Sequence, residues 1–277
     1  MATEISIGNL TQPINESTDQ LILYTLHLAD NALILGQRNA EWTGHGPVLE
    51  QDIAISNIAL DLIGQARMLY QYAATLINQA TNQLINHSTN PAHTEDTLAF
   101  FRTGAEYKNC LLVELPRGDW GVTVLRQFFF STYQYFLYHE LKNSADETLA
   151  AIAEKSFKEV TYHMRWSAEW VIRLGDGTEE SHDRMQKALD QLWAYTGELL
   201  TPGDFETEPD GKIVVDLRSI KVAWTNKIQE VLSTATLQIP ENKWQQSGGK
   251  QGRHTEHLGY ILSEMQYLQR TYPNAQW

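Results

Sequence analysis

The 277 residues carry 34 acidic against 21 basic side chains, a formal charge of −13, with 42% hydrophobic and 10% aromatic content. That composition excludes a disordered chain, and its negative field disfavours phosphate backbones and anionic lipid, so neither nucleic acid nor membrane is expected as a partner. Cys110 is the single cysteine, MATEISIGNL lacks a signal-peptide pattern, and no apolar run reaches about 18 residues, so a cytoplasmic protein without disulfides is expected.

Long proline-free stretches with helical periodicity predict an all-α chain. Helix A is expected from about Ser17 to Trp42, with Ser17 and Gln20 as a capping box and Ile22, Leu26, Ala29 and Leu33 along one side. Gly44 and Gly46 end it, and Pro47 opens helix B, which runs to about Leu76. Asn78 to Thr94 reads as an exposed connection. A helical segment follows from about Glu95 to Leu115, with a break at Gly104. Asp119 caps helix C, which reaches about Leu141, and helix D covers about Asp146 to Leu174 before Gly175 and Gly177. A fifth helix spans about Glu179 to Leu200. Thr201 to Val215 is a loop in which Lys212–Val215 hints at a strand. Two more helices are expected, from Leu217 to about Leu237 and from Thr255 to about Thr271.

Helices A to D hold about 25 residues each, hence roughly 40 Å of length. They suggest a ferritin-like up-down bundle over about 17–175, with accessory C-terminal helices over about 178–272, all within one domain of 1–277.

A bundle core is apolar, so ionisable residues on apolar stripes carry the information. Asp61 shares a helix B face with Ala54, Ile58, Gln65, Met68 and Tyr72 and is expected to point inward. On helix D, Glu159 and His163 lie on a face with Ile152, Ser156, Trp166 and Trp170, and helix A adds Asp30 between Leu26 and Leu33. Three helices thus aim polar groups at one interior, as in a carboxylate-bridged di-iron bundle, which uses a Glu from two helices and Glu-x-x-His from two others. The pattern is broken here. Three residues after Asp61 stands Gly64, three before His163 stands Val160, and the aromatic-rich helix C has no carboxylate at the expected depth. The expectation is a degenerate remnant without metal, its residues paired with one another or with neighbours inside the bundle.

The tail SGGKQGRHTEHLG places Lys250, Arg253, His254 and His257 around glycines before a helix start, a candidate anion or partner contact. It is not a Walker loop. No Gly-x-Ser-x-Gly elbow exists, and Cys110 among Leu111, Leu112 and Val113 reads as inert packing, so no catalytic residue is assigned.

The segments NAEWTGHGPVLEQDIAISNIALDLIGQARMLYQYAA, EDTLAFFR, KNCLLVELPRGD, YHMRWSAEWVIRLGDGT and GRHTEHLGYILSEMQYLQR resemble the C-subunit family of bacterial phenylacetyl-CoA epoxidases, the PaaC type, from about Tyr24 to Trp277. The resemblance implies a ferritin-like component of a monooxygenase that epoxidises the ring of phenylacetyl-CoA. It also implies a partner, the homologous A-type oxygenase chain that holds the di-iron centre and the CoA substrate, and a reductase bringing electrons from NADPH. The C-type chain is then a structural partner with no cofactor of its own, its Asp61 and Gly64 standing where the catalytic relative has Glu-x-x-His. Self-association of the isolated chain stays open. Two other readings remain beside this one: an autonomous metalloenzyme with an unusual site, and a CoA-binding module using Lys250 and Arg253.

Overall fold

The computed structural model describes residues 16–84, 92–207, 212–241, 244–272 and 275, without the side chains of residues 16, 17 and 82–84. Helix α1 spans Glu16–Ala40 and α2 spans Leu49–Leu84. Helix α1 therefore starts before Ser17, which lies inside it instead of capping it; the Ser17 side chain is outside the described residues. Gln20 donates instead to Thr207 O (2.6 Å), tying the helix to a distant loop. The turn after α1 closes through Trp42 N to Asn39 O and His45 N to Trp42 O, with Gly44 at φ +79°.

Helix α2 opens two residues after Pro47, because Val48 O accepts from Gln51 N and Asp52 N while the Asp52 carboxylate reaches back to Gly46 N. It also continues past the expected end at Leu76. Ile77 and Ala80 prolong its buried stripe, and the Asn78 amide brackets His93 through both backbone groups (2.9 and 2.8 Å). The first part of the segment read as an exposed connection, as far as Leu84, is thus helix, and residues 85–91 lie outside the described residues.

Between Glu95 and Leu115 the chain forms only α3 (Glu95–Phe100), a 3-10 turn over Gly104–Glu106 and α4 (Leu111–Glu114). Its backbone donors are claimed elsewhere: Lys108 N by Asp30, Cys110 N by Asn31, Leu111 N by Glu198. An N–H spent on another element cannot close an i→i−4 ladder.

Helices α5 (Trp120–Leu141) and α6 (Glu147–Gly175) are capped by Asp119, as its sequence predicts, and by Asp146, which was expected as the first residue of its helix. Helix α7 (Glu179–Leu192) stops short of Leu200 and unwinds into 3-10 turns, where the Gln245 side chain accepts from Gly197 N and Gln246 N donates to Ala194 O. Lys212–Val215 forms no strand; it docks on the α5–α6 turn through Ala145 N to Lys212 O. Helix α8 (Leu217–Thr234), α9 (Glu256–Met265) and α10 (Tyr267–Thr271) complete the described chain.

Helix α1 packs along α2, α5 along α6, and α2 meets α6, which gives the four-helix frame of the all-α, ferritin-like architecture. Helices α7 and α8 cover α5 and α6 from outside. One continuous apolar core runs from Ile22 to Leu262, with Phe128, Phe129, Phe130 and Tyr133 at its centre.

Candidate functional site

The polar groups expected at one interior separate into two places. His163, fully buried on α6, donates from Nε2 to Asp61 Oδ2 at 2.9 Å. The Asp61 side chain, however, stays 37% exposed, so it sits at the bundle edge and not inside. The fully buried side of α2 carries Ile55, Ile58, Leu62, Gln65, Ala66 and Leu69, rotated from the face that the spacing predicts. Gly64 is exposed, with no atom within 4 Å of where a Cβ would stand. It is no vacant ligand seat. A step of three residues falls about 60° short of a full turn, enough to carry the chain from an edge position to solvent.

Amides line part of the interior. Gln65 Nε2 donates to Glu159 Oε2 (2.9 Å), Gln134 Nε2 of α5 donates to Gln65 Oε1 (3.3 Å), and Asn39 of α1 donates to Gln127 Oε1 (2.7 Å). Glu159 is half-buried; desolvation, ahead of the charge of Asp61, raises its pKa, and the Gln65 hydrogen bond only partly opposes this. Gln127 and Gln134 answer the question left by helix C: its buried polar residues are these two amides, the hydroxyls of Thr123, Ser131 and Thr132, and Arg126, with no carboxylate among them. The sequence offered the two amides, but a glutamine among aromatics carries no charge to flag it.

Asp30 belongs to the second place. Its carboxylate is fully buried and accepts from Tyr70 OH (2.5 Å), Lys108 N (2.8 Å), Arg102 Nη1 (3.1 Å) and Arg102 Nη2. Burial works against the Arg102 charge, yet Asp30 more than compensates and raises its pKa. None of these partners is Asp61, Glu159 or His163. With four donors on two oxygens, Asp30 has no lone pair left for an ion.

The donors therefore do not suit a pair of irons, which need several free carboxylates and imidazoles around one centre. Among the described residues no group of three or more His, Cys, Asp or Glu side chains is arranged to hold a metal.

The C-terminal candidates also part company. Lys250, expected as an anion or partner contact, is buried and its ammonium is committed to Glu206 Oε2 (2.6 Å) and Thr201 O (2.8 Å). His254 bonds through both ring nitrogens, to Glu114 Oε2 (2.8 Å) and to Tyr107 O (3.0 Å). Both partners accept, so both nitrogens must donate, as in an imidazolium. Burial alone lowers its pKa; the hydrogen bond and charge of Glu114 outweigh that and raise it. Arg253 lies exposed beside them and His257 is half-buried at the start of α9. The loop is thus a strap stapled by three buried carboxylates, since Glu198 also accepts from Leu111 N and Gly248 N. Sequence reasoning missed Glu114, Glu198, Glu206 and Arg102. The one available signal was a lone charge between apolar neighbours, as Glu114 is in LLVELP. Cys110 is buried beside this strap, and desolvation pushes its thiol well above the usual range, as an inert packing residue requires.

Comparison with known proteins gives two findings. A family model described as phenylacetic acid catabolic protein matches residues 3–277. The Escherichia coli (strain K12) protein named as the C subunit of 1,2-phenylacetyl-CoA epoxidase is 44% identical over 260 residues, which cover 94% of this chain and 100% of that protein.

Proposed function

The chain belongs to the phenylacetic acid catabolic protein family, and from that membership we propose that it works as a non-catalytic component of the oxygenase that epoxidises the ring of phenylacetyl-CoA. Its work is mechanical. It docks on and steadies the homologous A-type di-iron chain, while a reductase supplies electrons derived from NADPH. One observation carries the reading: every carboxylate that could have served a metal is engaged by a neighbour, Asp30 by Arg102, Asp61 by His163 and Glu159 by Gln65. The amides that replace acids in the interior hold helix spacing without calling for a cation.

A rival reading, an autonomous metalloenzyme, has one observation in its favour. The buried Nδ1 of His163 has no hydrogen-bond partner, and a metal-binding imidazole commonly donates its other nitrogen to a carboxylate, as His163 does to Asp61. The CoA-module reading has lost its main cation, because Lys250 is held by Glu206.

Co-purification with the neighbouring oxygenase subunits, followed by metal counting per chain, tests the proposal. The expected result is a stable complex whose iron follows the partner chain and is unchanged by Asp61→Ala. Near-stoichiometric iron or manganese in the isolated chain, lost on Asp61→Ala, would sink it.

A further inference from the structure

We propose that the guanidinium of Arg126 holds a small monovalent anion, chloride, inside the protein where the 115–119 linker runs into α5. Arg126 stands nearly two turns into α5 and is fully buried. Its Nη1 donates to Leu115 O (2.6 Å) and Pro116 O (2.9 Å), which ties the linker to the helix. Its Nε and Nη2 are buried too, and among the described residues neither has a hydrogen-bond partner. Those two nitrogens share one edge of the planar fork, the edge that grips an anion with two parallel N–H groups.

Charge decides against a water molecule as the occupant. Water would answer the two N–H groups and leave the buried cation uncompensated, which is the larger cost. Burial pushes the Arg126 pKa down to about 9, the Arg38 cation pushes the same way, and Glu41 opposes them only weakly. The side chain therefore still carries its charge at neutral pH. The acids around it are spoken for. Glu41 pairs with Arg38 Nη1 (2.7 Å), and Arg38 Nε and Nη2 go to Glu114 O. The Glu114 carboxylate points the other way, to Asn109, His254 and Thr255, and Asp119 caps Val122 N. Arg117 adds a third guanidinium, donating to Glu41 O and lying over the Trp42 ring. Three cations thus meet one paired acid, a positive corner in a chain of net charge −13.

The surroundings select for size and valence. Along α5 the neighbours Val124, Leu125, Phe128 and Phe129 are fully buried and apolar. Phosphate or sulfate there would bring more charge than one guanidinium balances and more lone pairs than one edge can fill. A halide asks for few directed donors. Gln127 Nε2, on the next residue, is one further unpaired donor, and the unpaired Asn39 Oδ1 of the amide bonded to Gln127 is neutral and cannot stand in for an anion.

Two measurements on the full chain test this. In the first, the melting temperature is followed while sodium gluconate is replaced by sodium chloride or bromide at constant ionic strength. The expected result is a rise of roughly 2–5 °C between about 1 and about 100 mM halide, as a ligand bound only to the folded chain produces. Arg126→Met, lower-melting throughout, should lose the halide dependence, while Arg253→Gln, which removes an exposed guanidinium, should keep it. In the second, wild-type crystals grown in sodium bromide are measured at the bromine absorption edge, which needs no variant to fold. An anomalous peak is expected against the Nε–Nη2 edge of Arg126. A melting temperature indifferent to halide, a response undiminished in Arg126→Met, or a water without anomalous signal at that edge overturns the proposal.

Discussion

Asp30 and Arg102 are each buried, and among the described residues each supplies the other's only opposite charge within bonding distance. Removing one leaves the other as an uncompensated buried charge, which is far more costly than the net worth of the pair. Asp30→Asn is therefore expected to lower the stability of the chain by about 3–5 kcal/mol, read from the urea midpoint. An unchanged midpoint would mean that water reaches the pair. That Asp30 points inward was legible from its place between Leu26 and Leu33. Its partner was not, because Arg102 lies in an irregular segment where no period says which way a side chain turns. Asp61 shows the opposite error: the right neighbours by spacing, yet a rotation of less than one residue step separates edge from core.

At the scale of elements, two glycines have opposite meanings. Gly64 lies mid-helix on the surface with open space around it, so Gly64→Ala should stabilise by about 0.5–1 kcal/mol through lost unfolded-chain freedom. A Cβ on Gly249 would stand 2.1 Å from Asn109 O, which is backbone and cannot swing aside. Gly249→Ala should destabilise by about 1–3 kcal/mol or more by prying the strap from the 107–114 segment, a contrast that paired thermal melts of the two variants would display. Helices with strong caps and clean periods, α5 and α6, were legible to within a residue or two. The segments that were misread, 95–115 and 193–200, have helical composition but lose their backbone donors or acceptors to Asp30, Glu198 and Gln245. Such competition between distant groups leaves no trace in a local pattern.

Across the whole molecule, the strap couples stability to pH. His254 has a folded-state pKa above its ordinary value, so its contribution is fully present below about pH 6.5 and is lost as pH rises through the folded pKa. Melting temperature should thus fall on the alkaline side of about pH 6.5, and His254→Gln, though less stable throughout, should flatten that slope. A variant with the parental slope would mean that another group titrates there. Nothing in the sequence announced this behaviour, since the three carboxylates that hold the strap are spread from Glu114 to Glu206 and meet it only in space.

That strap also sets an order of events during synthesis. His27 and Asp30 leave the ribosome well before Glu206, and the Glu206 beside His27 receives its cation only when Lys250 arrives, more than two hundred residues after His27. Until then Glu114, Glu198 and Glu206 hold only their earlier donors, Asn109 Nδ2, Leu111 N and Gly203 N respectively. The four-helix frame can therefore close before the 248–255 strap docks, and the strap supplies the last donors to these carboxylates.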